Sequence, residues 1–232
     1  MEKKQLKTNI INIIPLLSEL SDQNKDLIKN ALIEKRLSKG SILFQENDPA
    51  DAVWFLREGK VRLSKSSPDG KELVLNIRKA GDLFAEVALF RKTVYPATAE
   101  MMEDGEVVLI RNQELEKIVM QYPEVGISII QIMGERLHLA QSKLRDVALY
   151  GKLGALSATL LRLAKEYGVE TNDGITIDLN LTHQELANFI GAARENVNRM
   201  MSTLEKANIL TMKKGVVCIK DTEGLKGYIS LS

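Results

Sequence analysis

Between Leu181 and Leu210 the sequence LTHQELANFIGAARENVNRMMSTLEKANIL carries apolar residues at helical spacing in two short blocks joined by Gly-Ala-Ala. Thr182 is a favourable N-cap, and Glu185 three residues later completes a capping box. Leu186, Ala187, Phe189 and Ile190 supply the apolar side of the first block; Val197, Met200, Met201 and Leu204 form the stripe of the second. The pattern predicts a helix pair with a turn at Gly191. After it, LTMKKGVVCIK reads as a hairpin with Lys213, Lys214 and Gly215 at its tip, and TNDGITIDLNLT before it reads as a turn plus strand.

Upstream the periodicity is different. Residues 12–36 read as short helices, with Ser21 as a cap and Leu27, Ile28, Ala31 and Leu32 at helical spacing. From about residue 37 the runs KGSILFQEND, AVWFLREGKVRLSKS, KELVLNIRKAGDLF and EVVLIR are β-rich and broken by Gly, Asp and Pro, with SPDGK at 67–71 as a hairpin turn. Short strands this close together predict a small barrel or roll, with Trp54 and Phe55 in its core. Past Pro123 a long helix is predicted. Ile130, Met133, Leu137, Ala140, Leu144 and Val147 step by three and four between polar flanks, a narrow seam that fits a two-stranded dimer. A stripe of that length also fits docking on its own domain. Gly151 and Gly154 then mark either a hinge or a close packing contact. The expected architecture is α+β, in three parts: residues 1–122 as a sensing roll with N-terminal helices, 123–150 as a dimerisation helix, and 151–232 as a winged helix-turn-helix.

Composition narrows the chemistry. The 232 residues include 32 Lys and Arg against 31 Asp and Glu, so nucleic-acid binding would need a local basic patch rather than bulk charge. A single cysteine, Cys218, can form no internal disulfide and cannot by itself hold zinc or an iron–sulfur cluster. His138 and His183 fall on separate elements with no carboxylate spacing that suggests a metal, so none is expected. No nucleophile–base pair or phosphate-cradling glycine loop points to an enzyme. The N-terminus lacks the pattern of a signal peptide, and no stretch approaches the about 20 apolar residues of a membrane span, so a cytoplasmic protein is expected.

Arg194, Glu195, Asn198 and Arg199 lie at i, i+1, i+4 and i+5, which at about 100° per residue sets them opposite the apolar stripe. Such a face suits the major groove: arginine forks onto guanine O6 and N7, glutamate accepts from cytosine N4, and asparagine pairs with adenine. It suits equally well a solvated helix face with i,i+4 ion pairs. Residue chemistry alone leaves both open.

The pattern T-x-x-E-L-A, G, R-E-x-V-x-R, L-E in this stretch closely resembles the helix-turn-helix of the cyclic AMP receptor protein/Fnr family of bacterial transcription regulators. GDLFAEVALF with YPATAE resembles that family's cyclic-nucleotide cassette, and GERLHLAQSKLRDVALYGKLGALSATLLRLAKEYG its dimer helix, hinge and following helix, so nearly the whole chain is covered. YGVETNDGI and AARENVNRM are similar to the Fnr-type members of Gram-positive bacteria. The resemblance implies a homodimer on double-stranded DNA that works with RNA polymerase. Arg194, Glu195 and Arg199, with Asn198 at a variable position, would read TGTGA-type half-sites. Thr182, His183, Lys213 and Lys214 are candidates for phosphate contacts.

The effector cassette departs from the family. Glu86 matches the glutamate that holds the ribose, but the arginine for the cyclic phosphate corresponds to Tyr95, beside Pro96. Losing such a charge-assisted fork costs about 2–5 kcal/mol. The glycine before the glutamate is Ala85, and the hydroxyl pair that contacts the purine corresponds to Ala140 and Gln141. Arg91 and Lys92 are the cations that could substitute. Cyclic AMP is therefore disfavoured, a cluster is excluded by the cysteine count, and no cofactor is expected. The alternative is a small-ligand module that acts through protein contacts instead of DNA.

Overall fold

A computed structural model describes residues 30–87, 89 and 94–230. The helices expected before Asn30, and the candidate cations Arg91 and Lys92, lie outside the described residues. Contacts divide the chain into two compact units: one of the described residues up to Lys65 with Leu75–Glu135, the other of Ser66–Val74 with the residues from Arg136 onward.

Among the described residues, eight strands lie wholly or mostly in the first unit: β1 (Leu32–Leu37), β2 (Ile42–Phe44), β3 (Ala52–Glu58), β4 (Lys60–Ser66), β5 (Glu72–Lys79), β6 (Leu83–Phe84), β7 (Thr98–Met101) and β8 (Gly105–Arg111). They form two four-stranded sheets, ordered β1-β8-β3-β6 and β2-β7-β4-β5. β3 explains why AVWFL is apolar without alternation. Ala52, Trp54 and Leu56 point into one core with Val61, Phe84, Ala99, Met101 and Leu109. Val53 and Phe55 point into a second core with Leu83, Leu115, Val125 and Ile129. A strand covered on both faces reads as a continuous apolar run.

The helical pattern predicted over 12–36 is corrected at its end. Asn30 and Ala31 are helical, and Leu32–Leu37 are strand, paired antiparallel along β8 from Leu32↔Ile110 to Leu37↔Gly105. Backbone pairing on the β-branched run of β8 outweighs the local spacing.

Helix α1 (Asn112–Gln121) leads into the 27-residue helix α2 (Pro123–Leu149). The first turns of α2 bury Val125 and Ile129 in the roll. Ile127, Ile130, Leu137, Leu144 and Val147 are exposed, Leu144 at 71%. Of the residues expected on the seam, Met133 packs partly against the roll, and Ala140 is exposed with the others. The exposed stripe runs 127, 130, 134, 137, 141, 144, so Gly134 and Gln141 occupy two of its places.

The second unit contains α3 (Gly151–Tyr167), β9 (Gly168–Thr171), β10 (Gly174–Ile177), α4 (His183–Ile190), α5 (Arg194–Lys206), β11 (Leu210–Lys213), β12 (Val216–Ile219) and α6 (Thr222–Ser230). Its sheet runs β11-β12-β10-β9. Gly154 lies inside α3 and is a packing glycine: a Cβ there would stand 2.5 Å from Tyr150 Cβ and 2.8 Å from the Tyr228 carbonyl oxygen. No described helix is long and apolar enough to cross a membrane.

Candidate nucleic-acid interface and effector cassette

The capping box forms as the sequence predicts. The Glu185 backbone N–H donates to Thr182 Oγ1 at 3.1 Å, and the Thr182 N–H donates to Glu185 Oε2 at 2.6 Å. The Thr182 hydroxyl also donates to that carboxylate, at 3.0 Å. Both donors of Thr182 are thus committed to the start of α4, which leaves His183, Lys213 and Lys214 as the free donors among the candidate phosphate ligands. Helix α4 buries Leu186, Ala187 and Ile190 and ends at Gly191, in the left-handed conformation at φ 59°.

Helix α5 starts from Ala193 without a side-chain cap, so its first backbone N–H groups remain open toward a ligand. Val197, Met201 and Leu204 are buried; Met200 is half-buried at the edge of the stripe. Arg194, Glu195, Asn198 and Arg199 are all exposed on the opposite side. The ion-pairing alternative makes a specific expectation: Glu195 and Arg199, four apart, should bridge. The salt bridges among the described residues include none from Arg194, Glu195 or Arg199. Arg199 instead donates from Nη2 to Asn196 Oδ1, one turn earlier. Asn196 was missed in the sequence because it lies beside the predicted face; its i,i+3 spacing to Arg199 was the available signal.

The wing packs on the same helix pair. Lys213 pairs with Val216, leaving a two-residue turn in which Lys214 (φ 50°) and Gly215 (φ 84°) are both left-handed. That is the hairpin turn whose twist matches its strands. A Cβ at Gly215 would lie 1.8 Å from Asn180 Oδ1, so that side chain would have to move aside. The Gly215 carbonyl accepts the Leu181 N–H at 2.8 Å, and Glu205 Oε1 accepts the Met212 N–H at 3.0 Å, so the wing is tied to both helices. Between them runs a groove of about 450 Å³ lined by Thr182, His183, Glu205 and Lys214. Cys218 is half-buried in β12 opposite Thr211 and Thr176. No described group of three or more His, Cys, Asp or Glu could hold a metal.

In the roll, Glu86 is buried and Ala85 sits at φ 61°, a conformation costing an alanine about 1–2 kcal/mol. Tyr95 is also buried. Its ring stacks on Phe44 at 3.8 Å between centroids. Its hydroxyl donates to the Ala52 carbonyl at 3.0 Å and accepts from Trp54 Nε1 at 3.2 Å. The place that the resemblance gives to a phosphate-binding arginine is thus taken by a phenol anchored to β3. Pro96 beside it is exposed, and Ala140 and Gln141 are exposed on α2.

Burial raises the Tyr95 phenol above its ordinary 10.0, and the hydrogen bonds that Trp54 Nε1–H and the Ala52 backbone N–H donate to its oxygen oppose part of the shift. The folded state therefore holds the proton after the unfolded chain has released it. The stability this contributes is complete below pH 10 and is lost as pH rises through the folded value. Urea unfolding of wild type and Tyr95→Phe should show a gap of about 1 kcal/mol at neutral pH, from the lost hydrogen bonds. The gap should shrink above about pH 10. A gap that is constant through alkaline pH would mean that the phenol ionises freely in the fold.

Residues 34–122 match the cyclic nucleotide-binding domain family, and residues 154–228 match the Crp-like helix-turn-helix domain family. The chain is 37% identical over 206 residues to the anaerobic regulatory protein of Bacillus subtilis (strain 168), covering 88% of this chain and 87% of that one. It is 26% identical over 187 residues to a CRP-like cAMP-activated global transcriptional regulator of Mycobacterium tuberculosis, covering 81% and 84%. Among solved structures, a CooA mutant from Carboxydothermus hydrogenoformans superposes with a TM-score of 0.74 at 24% identity, covering 91% of this chain and 92% of that one. FixK2 from Bradyrhizobium japonicum gives 0.75 at 20%, covering 87% and 98%. These two structural likenesses concern the fold.

Proposed function

The chain belongs to the Crp/Fnr family of DNA-binding transcription regulators, and on that premise we propose that it is a cytoplasmic homodimer that reads palindromic TGTGA-type half-sites without cyclic AMP and without an iron–sulfur cluster. The observation that carries the reading is the α5 face: Arg194, Glu195, Asn198 and Arg199 are exposed together, and Arg194, Glu195 and Arg199 make no ion pair with one another. A helix start that presents two guanidiniums, a carboxylate and an amide fits the edges of guanine, cytosine and adenine. His183 at the start of α4 and Lys213 and Lys214 on the wing would supply donors for phosphates, which position the helix without specifying sequence.

The exposed stripe of Ile127, Ile130, Leu137 and Leu144 supports a second copy as the partner along α2. A two-fold dimer sets two recognition helices about one turn of DNA, roughly 34 Å, apart. Independence from cyclic AMP is supported by the buried, hydrogen-bonded Tyr95 and by Ala85. Independence from a cluster is supported by the single cysteine. RNA polymerase is the further partner of this reading.

The test is binding of the purified protein to a duplex that carries two inverted TGTGA half-sites, beside a scrambled duplex, at one fixed salt concentration near physiological. Specific binding with nothing added, unchanged by cyclic AMP, is the expected result. Binding that appears only with the nucleotide would assign the cyclic phosphate to cations outside the described residues. No preference in either condition would overturn the half-site assignment.

A further inference from the structure

We propose that Asp146 and Arg162 are positioning residues for DNA recognition: their ion pair fixes the elbow at which α2 turns into α3, and so the separation of the two recognition helices. The proposal rests on the homodimeric, DNA-reading function above.

Asp146 lies in the last turn of α2, and its side chain is 1% exposed. A carboxylate removed from water this completely must be compensated where it sits. Both of its oxygens are. Oδ2 accepts from Arg162 Nη1, across the elbow on α3. Oδ1 accepts from Arg145 Nη2 at 2.9 Å and Nε at 3.2 Å. Arg162 is held in turn, donating from Nη2 to Thr159 Oγ1 at 3.1 Å, and Thr159 is buried. Arg145 lies over the Tyr150 ring, 5.7 Å from its centroid, and the Tyr150 N–H reaches the Asp146 carbonyl at 3.2 Å.

The glycines beside this cluster do not loosen it. Gly151 makes the turn itself at φ 61°, and Gly154 packs against Tyr150 and the Tyr228 carbonyl with no room for a methyl group. Swinging α3 about the elbow would pull Arg162 from a carboxylate that has no water to replace it. The end of α2 therefore moves with the DNA-binding unit, which agrees with the compact unit beginning at Arg136 and not at Gly151. Because α3 packs on α4 and α6, its direction sets that of the helix pair.

The experiment is a double-mutant cycle of Asp146→Asn, Arg162→Gln and the double variant in the full chain, with two readouts. The first needs no DNA: hydrogen exchange at the backbone amides of residues 147–154. Each single variant should speed exchange there by about tenfold or more, and leave β10, β11 and β12 unchanged. The double variant should be no worse than the worse single. The second readout is affinity for palindromes whose spacer is the preferred length, one base pair shorter or one longer. Wild type should discriminate among them; the variants should bind the preferred site about tenfold more weakly and lose most of the discrimination. Unchanged exchange, or effects that simply add, would overturn the pair as the element that holds the elbow. Faster exchange with spacing discrimination intact would reduce the pair to a structural role and overturn the positioning claim. A wild type that binds no palindrome would overturn the DNA reading and this claim's DNA half together, and the exchange data would still decide whether the elbow is latched.

Discussion

Arg194→Ala should lower the preference for the specific palindrome over scrambled DNA by about thirtyfold or more. A good bidentate arginine–guanine contact is worth about 1–3 kcal/mol of discrimination. The proposed dimer would make it twice, so the expected loss is roughly 2–6 kcal/mol, at about 1.4 kcal/mol per factor of ten. Affinity for scrambled DNA should change little, because phosphate contacts dominate there. Thermal stability should also hold, since Arg194 is exposed and takes no part in the α5 core of Val197, Met201 and Leu204. The measurement is a titration of both duplexes by anisotropy at one salt concentration. An equal loss on both duplexes would move Arg194 from bases to phosphates.

Leu137→Glu or Leu144→Glu should convert the proposed dimer to monomer and lower palindrome affinity by about 10²–10⁴. Both side chains are more than half exposed, so a carboxylate there costs the isolated chain little, whereas across a seam two copies of it would face each other. The affinity falls because the second half-site is no longer engaged at the high effective concentration that linkage provides. Sedimentation at micromolar concentration reads the oligomeric state, and near-ultraviolet circular dichroism checks that the roll is intact. Met133→Glu is the instructive contrast. Met133 packs partly against the cluster of Val125 and Ile129, so its substitution should destabilise the roll as well. If Leu137→Glu remained a dimer, the second copy would have to sit elsewhere.

The helix pair, its cap, its turn at Gly191 and the wing turn were determined by the sequence alone. Each depends on groups a few residues apart: Thr182 with Glu185, Gly191 with Ala187, Lys213 with Val216. Interactions of that range survive in any context that tolerates the local backbone. The exposed face of α5 was legible for the same reason, since helical periodicity places Arg194 and Arg199 once Val197 and Leu204 are inside.

Tertiary structure decided what long-range partners decide. Leu32–Leu37 became a strand because β8 offered it a ladder of backbone partners. Of the seam residues read from the sequence, Met133 packs partly against the roll, a contact that helical spacing by itself does not show. Tyr95 could be aligned with a phosphate ligand but not seen to be anchored, because its partners Phe44, Ala52 and Trp54 lie more than forty residues away. Nothing in the sequence sets Asp146 apart from the other polar residues of α2. Only the fold puts Arg162 against it and removes the water, and a carboxylate without water is bound to the cation it faces.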